Sequence, residues 1–325
     1  MDISHSQDAA PYGLADLLAP LTTQEFLNSI YEKKPIHIQG TAEKFAFAMS
    51  WDILNGILNQ SSIWTPQSLQ LVLDTDTVPP QQYTREGLAL NGGTTLQIDF
   101  EKVRALVGRG ASLVLNSIEG LTPGVKRIAE LLGREPGGKV QTNLYCSWQA
   151  HQAFDVHFDT HDVFAMQVTG EKNWRIYQRH FQYPINHPAF KMLPVSYHHQ
   201  HKGPLLMEFT MRPGDLVYIP RGYYHEAMAQ SDSTVHLSFS VVKMIGVDVL
   251  TVLYEHGVMD DVFRAHLPDP TAREGKALDE HLMRIAGRLR ELLREPKIRT
   301  QIESAITGFR YPVDRIKLPD DAGKK

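Results

Sequence analysis

The sequence predicts an α+β protein: a sandwich or barrel of short β-strands, preceded by a helix-rich segment and followed by further helices. Three observations carry this prediction. Between residues 139 and 245, short strand-like stretches follow one another, several parted by turns such as Thr169-Gly170 and Arg212-Pro213-Gly214-Asp215; such punctuation marks an all-β unit. Before residue 139, cap residues precede apolar stretches of helical period. After Lys243 the helical period returns.

In chain order, residues 1–20 read as a flexible leader and 21–138 as the helix-rich part. Thr22-Thr23-Gln24-Glu25 is a capping box for a helix carrying Phe26 and Ile30, which is expected to end near Lys34-Pro35 because proline restricts the residue before it. Pro35 to Ile38 is extended, and a second helix starts after Ser50 with Trp51, Ile53, Leu54, Ile57 and Leu58. Leu69 to Leu73 alternates like a strand and is broken by Pro79-Pro80. Phe100 to Val107 is amphipathic and stops at Gly108, Ser112 to Leu115 is a buried strand, and Thr122-Pro123 caps a helix that Gly133 is expected to close. The β region of 139–245 comprises Val140–Trp148, Val163–Val168, Asn173–Tyr177, Leu205–Phe209, Leu216–Ile219, His225–Ala229 and Val235–Val242. In the last part, 246–325, helices are expected over Val247–His256, Leu278–Leu293 and Ile298–Ile306. Leu282, Ile285, Leu289 and Leu292 share one face of the middle helix and suit either a homodimer surface or packing within the chain.

Bulk composition excludes several classes. With 325 residues, 42% of them hydrophobic, the chain can bury a full core as one large domain or two modest ones. A formal charge of −4 leaves no basic footprint, so no direct nucleic-acid partner is expected. The single cysteine, Cys146, rules out an internal disulfide framework or a multi-cysteine metal site and reads as a small apolar filler. The first residues lack a signal-peptide pattern and no long apolar run occurs, so the expectation is a soluble, cytoplasmic protein without a membrane partner.

The chemistry concentrates in His157-Phe158-Asp159, read as the opening of a strand that turns at Thr169-Gly170-Glu171 and returns through Lys172. Alternate strand residues share a face, so His157 and Asp159 can address one metal ion. Two histidines and one carboxylate make the facial triad of non-haem Fe(II) oxygenases. The best candidate for the third ligand is His225, delivered by the run from Arg212-Pro213-Gly214-Asp215 through Pro220-Arg221-Gly222. A His-x-Asp pair is common by chance; the ordered set of pair, hairpin, turn and histidine is far more specific. His161 shares parity with the pair, but regular strand geometry puts it roughly 13 Å from His157, too far for one ion. It reads as structural or substrate-side. His151, His187 and the His198-His199-x-His201 run read as loop histidines, the run being a candidate surface site for adventitious metal.

The stretch from Asn143 to Val242, with Asn143-x-Tyr145, His157-x-Asp159 and Val163-Phe164-x-x-Gln167-x-x-Gly170-x-Lys172-x-Trp174, resembles the JmjC/cupin-like Fe(II) and 2-oxoglutarate-dependent oxygenases. It is most similar to their ribosomal-oxygenase branch, which the entry segment Phe26 to Ile38 also resembles, with a shortened C-terminal region. The resemblance implies a double-stranded β-helix (jelly-roll, JmjC-type) holding iron between two sheets. It implies His157, Asp159 and His225 as iron ligands and Lys172, with Tyr145, as the partners of the cosubstrate's C5 carboxylate. Ser238, Ser240 and Asn143 are further candidate contacts to the cosubstrate. A lysine on the strand returning from the metal also suits a dicarboxylate physically, because it holds a cation at a fixed distance from the ion. The implied activity is hydroxylation of an amino-acid side chain in a protein or peptide, consuming O2 and 2-oxoglutarate and releasing succinate and CO2. A free amino acid or small metabolite as substrate, and a non-catalytic cupin-like binding module or sensor, are the alternatives. Phe154, three residues before His157, implies an apolar pocket rim, and the loops at 149–156, 180–204 and 226–234 are expected to shape the pocket.

Overall fold

Residues 12–88, 93–148 and 154–310 are described by the structure, a computed structural model. Their strands, in chain order, are β1 (Ile36–Ile38), β2 (Leu69–Leu73), β3 (Asp76–Thr77), β4 (Thr84–Leu88), β5 (Thr94–Ile98), β6 (Ser112–Leu115), β7 (Lys139–Trp148), β8 (Asp162–Thr169), β9 (Lys172–His180), β10 (Leu205–Met211), β11 (Leu216–Ile219), β12 (Tyr223–Ala229) and β13 (Ser233–Val242). They form an eight-stranded sheet ordered β1-β11-β8-β13-β7-β6-β2-β3, a three-stranded sheet ordered β10-β9-β12, and the hairpin β4-β5. All the pairings are antiparallel.

Side-chain alternation decides how the two larger sheets meet. In β8 and β11, Phe164, Met166, Leu216 and Tyr218 join the main core with Leu17 and Phe26 of the N-terminal helices. Their neighbours Val163, Ala165, Val217 and Ile219 point the other way, against Trp174 and Ile176 of β9 and Met211 of β10. Strands with both faces buried read as continuous apolar runs, which is why Leu216 to Ile219 carries no polar residue. The result is the double-stranded β-helix, with the three-stranded sheet facing the middle of the large one. Cys146 is fully buried in the main core, on the opposite side of β7 from Tyr145.

Local signals explain the flanking helices. Thr22 Oγ1 accepts from Glu25 N, Ser50 Oγ from Ile53 N and Thr122 Oγ1 from Val125 N, each at 3.2 Å, and so cap helices Thr23–Ser29, Trp51–Leu58 and Pro123–Leu132. Three expectations need correction. The helix after Thr22 stops at Ser29, earlier than Lys34, and the chain reverses at Glu32 with φ +59°. Gly133 caps its helix as expected but keeps right-handed values (φ −67°), and a wide turn runs on to Gly137 (φ +82°) and Gly138 (φ +126°). The 1–20 leader contains the helix Leu14–Leu18, whose leucines are buried in the core; residues 1–11 lie outside the described residues. The 180–204 loop holds two short helices, Pro188–Lys191 and Val195–His201.

A second compact unit begins at Lys243. Its helices are Gly246–Gly257, Asp261–Arg264, Lys276–Arg294 and Pro296–Gly308, around Leu253, Leu292 and Ile298 with Leu289 packed against them. Arg288 Nε donates to Asp260 Oδ2 at 2.5 Å and fastens the long helix to the loop before the second. Leu250, Tyr254, Leu282 and Met283 of this unit are exposed. Among the described residues, no helix is long and apolar enough to cross a membrane.

Candidate active site

The His157-Asp159 segment is not the opening of a strand. β8 begins at Asp162, and His157 sits in an irregular stretch tied to β12 by a single bridge. His157 N donates to His225 O at 3.1 Å and His225 N donates to His157 O at 2.8 Å, so the backbone alone sets the two histidines side by side. The turn before β12 is fastened at three points. Gly222 N donates to Asp159 O (2.8 Å), Arg221 N to Asp162 Oδ1 (2.9 Å), and Phe181 N to Gly222 O (2.9 Å). Gly222 has φ +90°, and a Cβ there would meet Phe181 O at 2.0 Å, so only glycine fits this junction.

These constraints bring one ligand atom from each of His157, Asp159 and His225 within 4.8 Å of one another. The two rings lie 4.5 Å apart between centroids, and His225 Nε2 is 3.5 Å from Asp159 Oδ2. His157 Nδ1 lies 2.7 Å from Asp155 O, and His225 Nδ1 lies 2.9 Å from Tyr223 O. A carbonyl accepts only from N–H, so both rings carry their proton on Nδ1 and turn the Nε2 lone pair toward the shared space, as metal-binding imidazoles do. Burial, then the adjacent His157, lowers the His225 pKa to about 4 and keeps it neutral at pH 7. Burial works against charge on Asp159, but His161, His225, His157 and Lys191 outweigh it and lower its pKa. Two imidazoles and one carboxylate suit a divalent transition-metal ion. His161 Nε2 lies 4.0 Å from Asp159 Oδ1, in a stretch, 157–161, that is not a regular strand. It flanks the cluster without joining it.

The space between the sheets, beside this cluster, is lined by polar groups. Lys172 opens β9 and is 4% exposed, and among the described residues no carboxylate pairs with it. Burial depresses its pKa to about 8. Tyr145 is a protonated donor: burial, then Asp159, pushes its hydroxyl up to about 12, while a hydrogen bond to Asn143 works the other way. Asn143 Oδ1 also accepts from Ser117 N at 3.2 Å. Trp174 stacks near His225 (6.0 Å, 21°), and its Nε1 and the Oε1 of Gln167 are buried without a partner among the described residues. An unpaired buried cation and unpaired buried polar atoms are costly; a polar anionic ligand would satisfy them. Ser238 and Ser240 lie on the inner face of β13, opposite Asn143 and Gln141. The β13 residue that reaches Lys172 is His236, two positions earlier, its Nδ1 3.2 Å from Lys172 Nζ. Sequence reasoning passed over it, although it has the parity of Ser238 and Ser240. Phe154 is 39% exposed and packs edge-on against Tyr145 (5.7 Å), at the rim.

The His198 run does not form a metal site. His198 packs against Phe158 and Tyr224, His199 Nε2 lies 3.0 Å from Asp155 Oδ1, and His201 Nδ1 lies 2.7 Å from Tyr197 O. His199 thus steadies the residue whose carbonyl orients His157. His187 Nδ1 accepts from Ala189 N and caps a short helix. His151 and the rest of 149–153 lie outside the described residues.

Residues 115–248 match the JmjC domain, and they span β7 to β13 with the metal cluster inside. The chain carries a JmjC domain. Among similar curated proteins, the bifunctional lysine-specific demethylase and histidyl-hydroxylase NO66 of Drosophila persimilis is 26% identical over 241 residues, covering 73% of this chain and 33% of its own length. Ribosomal oxygenase 2 of Bos taurus is 27% identical over 222 residues, 67% of this chain and 45% of its own. This chain spans 33% of the Drosophila relative's length and 45% of the Bos taurus relative's. In fold, the JmjC chain resembles the Escherichia coli ribosomal oxygenase YcfD in complex with cobalt and 2-oxoglutarate, with a TM-score of 0.60 and 16% identity, over 94% of this chain and 76% of that one.

Proposed function

We propose that the chain is an Fe(II)- and 2-oxoglutarate-dependent oxygenase that hydroxylates an amino-acid side chain in a protein or peptide in the cytoplasm. The observation that carries this reading is the nearness of two features between the sheets, joined through Trp174, which stacks near His225 and meets His236 beside Lys172. His157, Asp159 and His225 offer converging donors, and the buried Lys172 waits beside them without a counter-anion. When bound, Fe(II) with 2-oxoglutarate and O2 supplies oxidative decarboxylation to succinate and CO2 and places one oxygen atom in a C–H bond of the substrate. The protein's part is to orient and shield. His157 and His225 present Nε2 because Asp155 O and Tyr223 O hold their Nδ1–H. Asp159 contributes the negative charge. Lys172 and Tyr145 receive the distal carboxylate of 2-oxoglutarate, and Asn143, Ser238 and Ser240 border that end of the cavity. His161 and Phe154 stand at the open side, where a substrate side chain would approach.

A protein substrate is favoured by the relatives, which are called histidyl-hydroxylase and ribosomal oxygenase. The exposed Leu250, Tyr254, Leu282 and Met283 of the C-terminal unit suit a homodimer contact, which a molar mass in solution tests. The deciding experiment is anaerobic addition of Fe(II) and 2-oxoglutarate. A weak visible charge-transfer band is expected, absent in His157→Ala and Asp159→Ala. A folded wild-type protein without the band refutes the oxygenase reading. Succinate release with intact peptides, and none with free amino acids, then identifies the substrate class.

A further inference from the structure

Lys172 is the cation of the cavity, but a lysine on a strand has a long flexible stem, and something must aim it. Lys172 Nζ lies 3.2 Å from His236 Nδ1, and both residues are at least nine-tenths buried, at 4% and 5% exposure. An ammonium has three donors and no lone pair, so Nδ1 must be the acceptor and the His236 proton must sit on Nε2. The contact therefore fixes the tautomer. Register explains the placement. His236 lies directly opposite Tyr145 on β7 and beside Gln167 on β8, so its ring is clamped in the middle of the large sheet. The ring stacks on Tyr145 at 4.9 Å and 10° and meets Trp174 edge-on at 5.9 Å and 84°. Burial, and after it the Lys172 charge, lowers the His236 pKa, in keeping with the neutral acceptor.

We propose that His236 is a positioning residue that fixes both partners of the distal carboxylate, accepting one N–H of Lys172 through Nδ1 and holding the Tyr145 ring in place by stacking. One N–H of Lys172 is spent on His236, so the remaining two are aimed rather than free to rotate. The Tyr145 hydroxyl keeps a set direction because its ring is stacked on His236 and in edge-on contact with Phe154. The side-chain contacts of His236 are with Lys172, Tyr145 and Trp174, not with His157, Asp159 or His225. This inference rests on the 2-oxoglutarate reading above and deepens it: the cavity selects a 2-oxo acid with a second carboxylate through an anchor that His236 orients.

The test is calorimetric titration of the full chain loaded with Mn(II), using 2-oxoglutarate and, separately, oxalate, which occupies the metal but lacks the distal carboxylate. In His236→Phe, which keeps a flat ring but has no acceptor, 2-oxoglutarate should bind about tenfold more weakly, the expected loss of one charge-assisted hydrogen bond. Oxalate affinity should stay unchanged. His236→Asn, whose Oδ1 can stand where Nδ1 stood, should recover 2-oxoglutarate binding to within about threefold of wild type. Equal 2-oxoglutarate affinity in wild type and His236→Phe overturns the inference, and so does parallel weakening of oxalate, which would mark a merely structural role. If the Phe variant does not fold, the Asn variant decides alone: 2-oxoglutarate binding within about threefold of wild type with oxalate unchanged supports the inference, and loss of 2-oxoglutarate affinity, alone or with oxalate, overturns it. Failure of the wild type itself to bind 2-oxoglutarate would instead strike the oxygenase reading.

Discussion

Replacing Lys172 by methionine should make the apo protein more stable and abolish its affinity for 2-oxoglutarate. The lysine stem is sheathed by the two sheets and its ammonium is buried at 4% exposure. Its pKa falls from the ordinary 10.5 to about 8, chiefly through burial. At about 1.36 kcal/mol per pH unit, the charged side chain costs the folded state about 3 kcal/mol. Methionine has similar length and no charge to desolvate, so Lys172→Met should recover most of that, raising Tm by roughly 5–10 °C. The sign of the pH dependence is fixed by which state holds the proton. Below pH 8 both folded and unfolded chains are protonated at this lysine, and the full penalty is felt. Between 8 and 10.5 only the unfolded chain binds the proton, so wild-type stability rises with pH and the advantage of the variant shrinks toward zero. Denaturant unfolding of both proteins at pH 7 and pH 10 measures this directly. A variant less stable than wild type at pH 7, with 2-oxoglutarate binding intact, would refute the reasoning and leave Lys172 as a structural residue.

Three further outcomes follow from the same geometry. Affinity of the metal-loaded protein for 2-oxoglutarate should be flat below about pH 8 and fall about tenfold per pH unit above it, as the Lys172 ammonium is lost; a profile without a break between pH 7 and 9.5 would separate Lys172 from the cosubstrate. Gly222→Ala puts a Cβ 2.0 Å from Phe181 O at φ +90°, so it should destabilise the fold by ~1–3 kcal/mol or more and loosen His225, seen as a lower melting temperature together with weaker Mn(II) binding. Asp155→Ala removes the carboxylate that holds Val156 N and His199, and should weaken metal binding about tenfold while leaving the melting temperature near wild type; unchanged metal affinity would mean that the Asp155 backbone alone orients His157.

What could be read from the sequence divides by the distance over which each signal acts. The caps at Thr22, Ser50 and Thr122 need only the next three residues, and the helices they open start where expected. The strands β7 to β13 came from alternation and turn residues, because a barrel strand buried on one or both faces must carry its pattern in its own residues. The convergence of His157, Asp159 and His225 could be anticipated from the order of the motifs, although the strand assumed for the first two is absent. The local path could not: the stretch from His157 to His161 is irregular rather than the opening of a strand. Leu14–Leu18 was hidden because five residues behind a glycine cap give no helical period to count. His236 was invisible for a deeper reason. Between Val235 and Leu237 it reads as any strand residue, and its meaning depends on registers that bring Tyr145, Gln167 and Lys172 around it from three other strands.

The measurement that bears most directly on the account is the titration of Mn(II) into the metal-free chain, followed by electron paramagnetic resonance. One tightly bound ion per chain is expected for the wild type, perturbed spectroscopically by 2-oxoglutarate, and none for Asp159→Ala or His225→Ala at the same concentrations. Binding of Mn(II) undiminished by loss of Asp159 or His225, or a spectrum indifferent to 2-oxoglutarate, would contradict it.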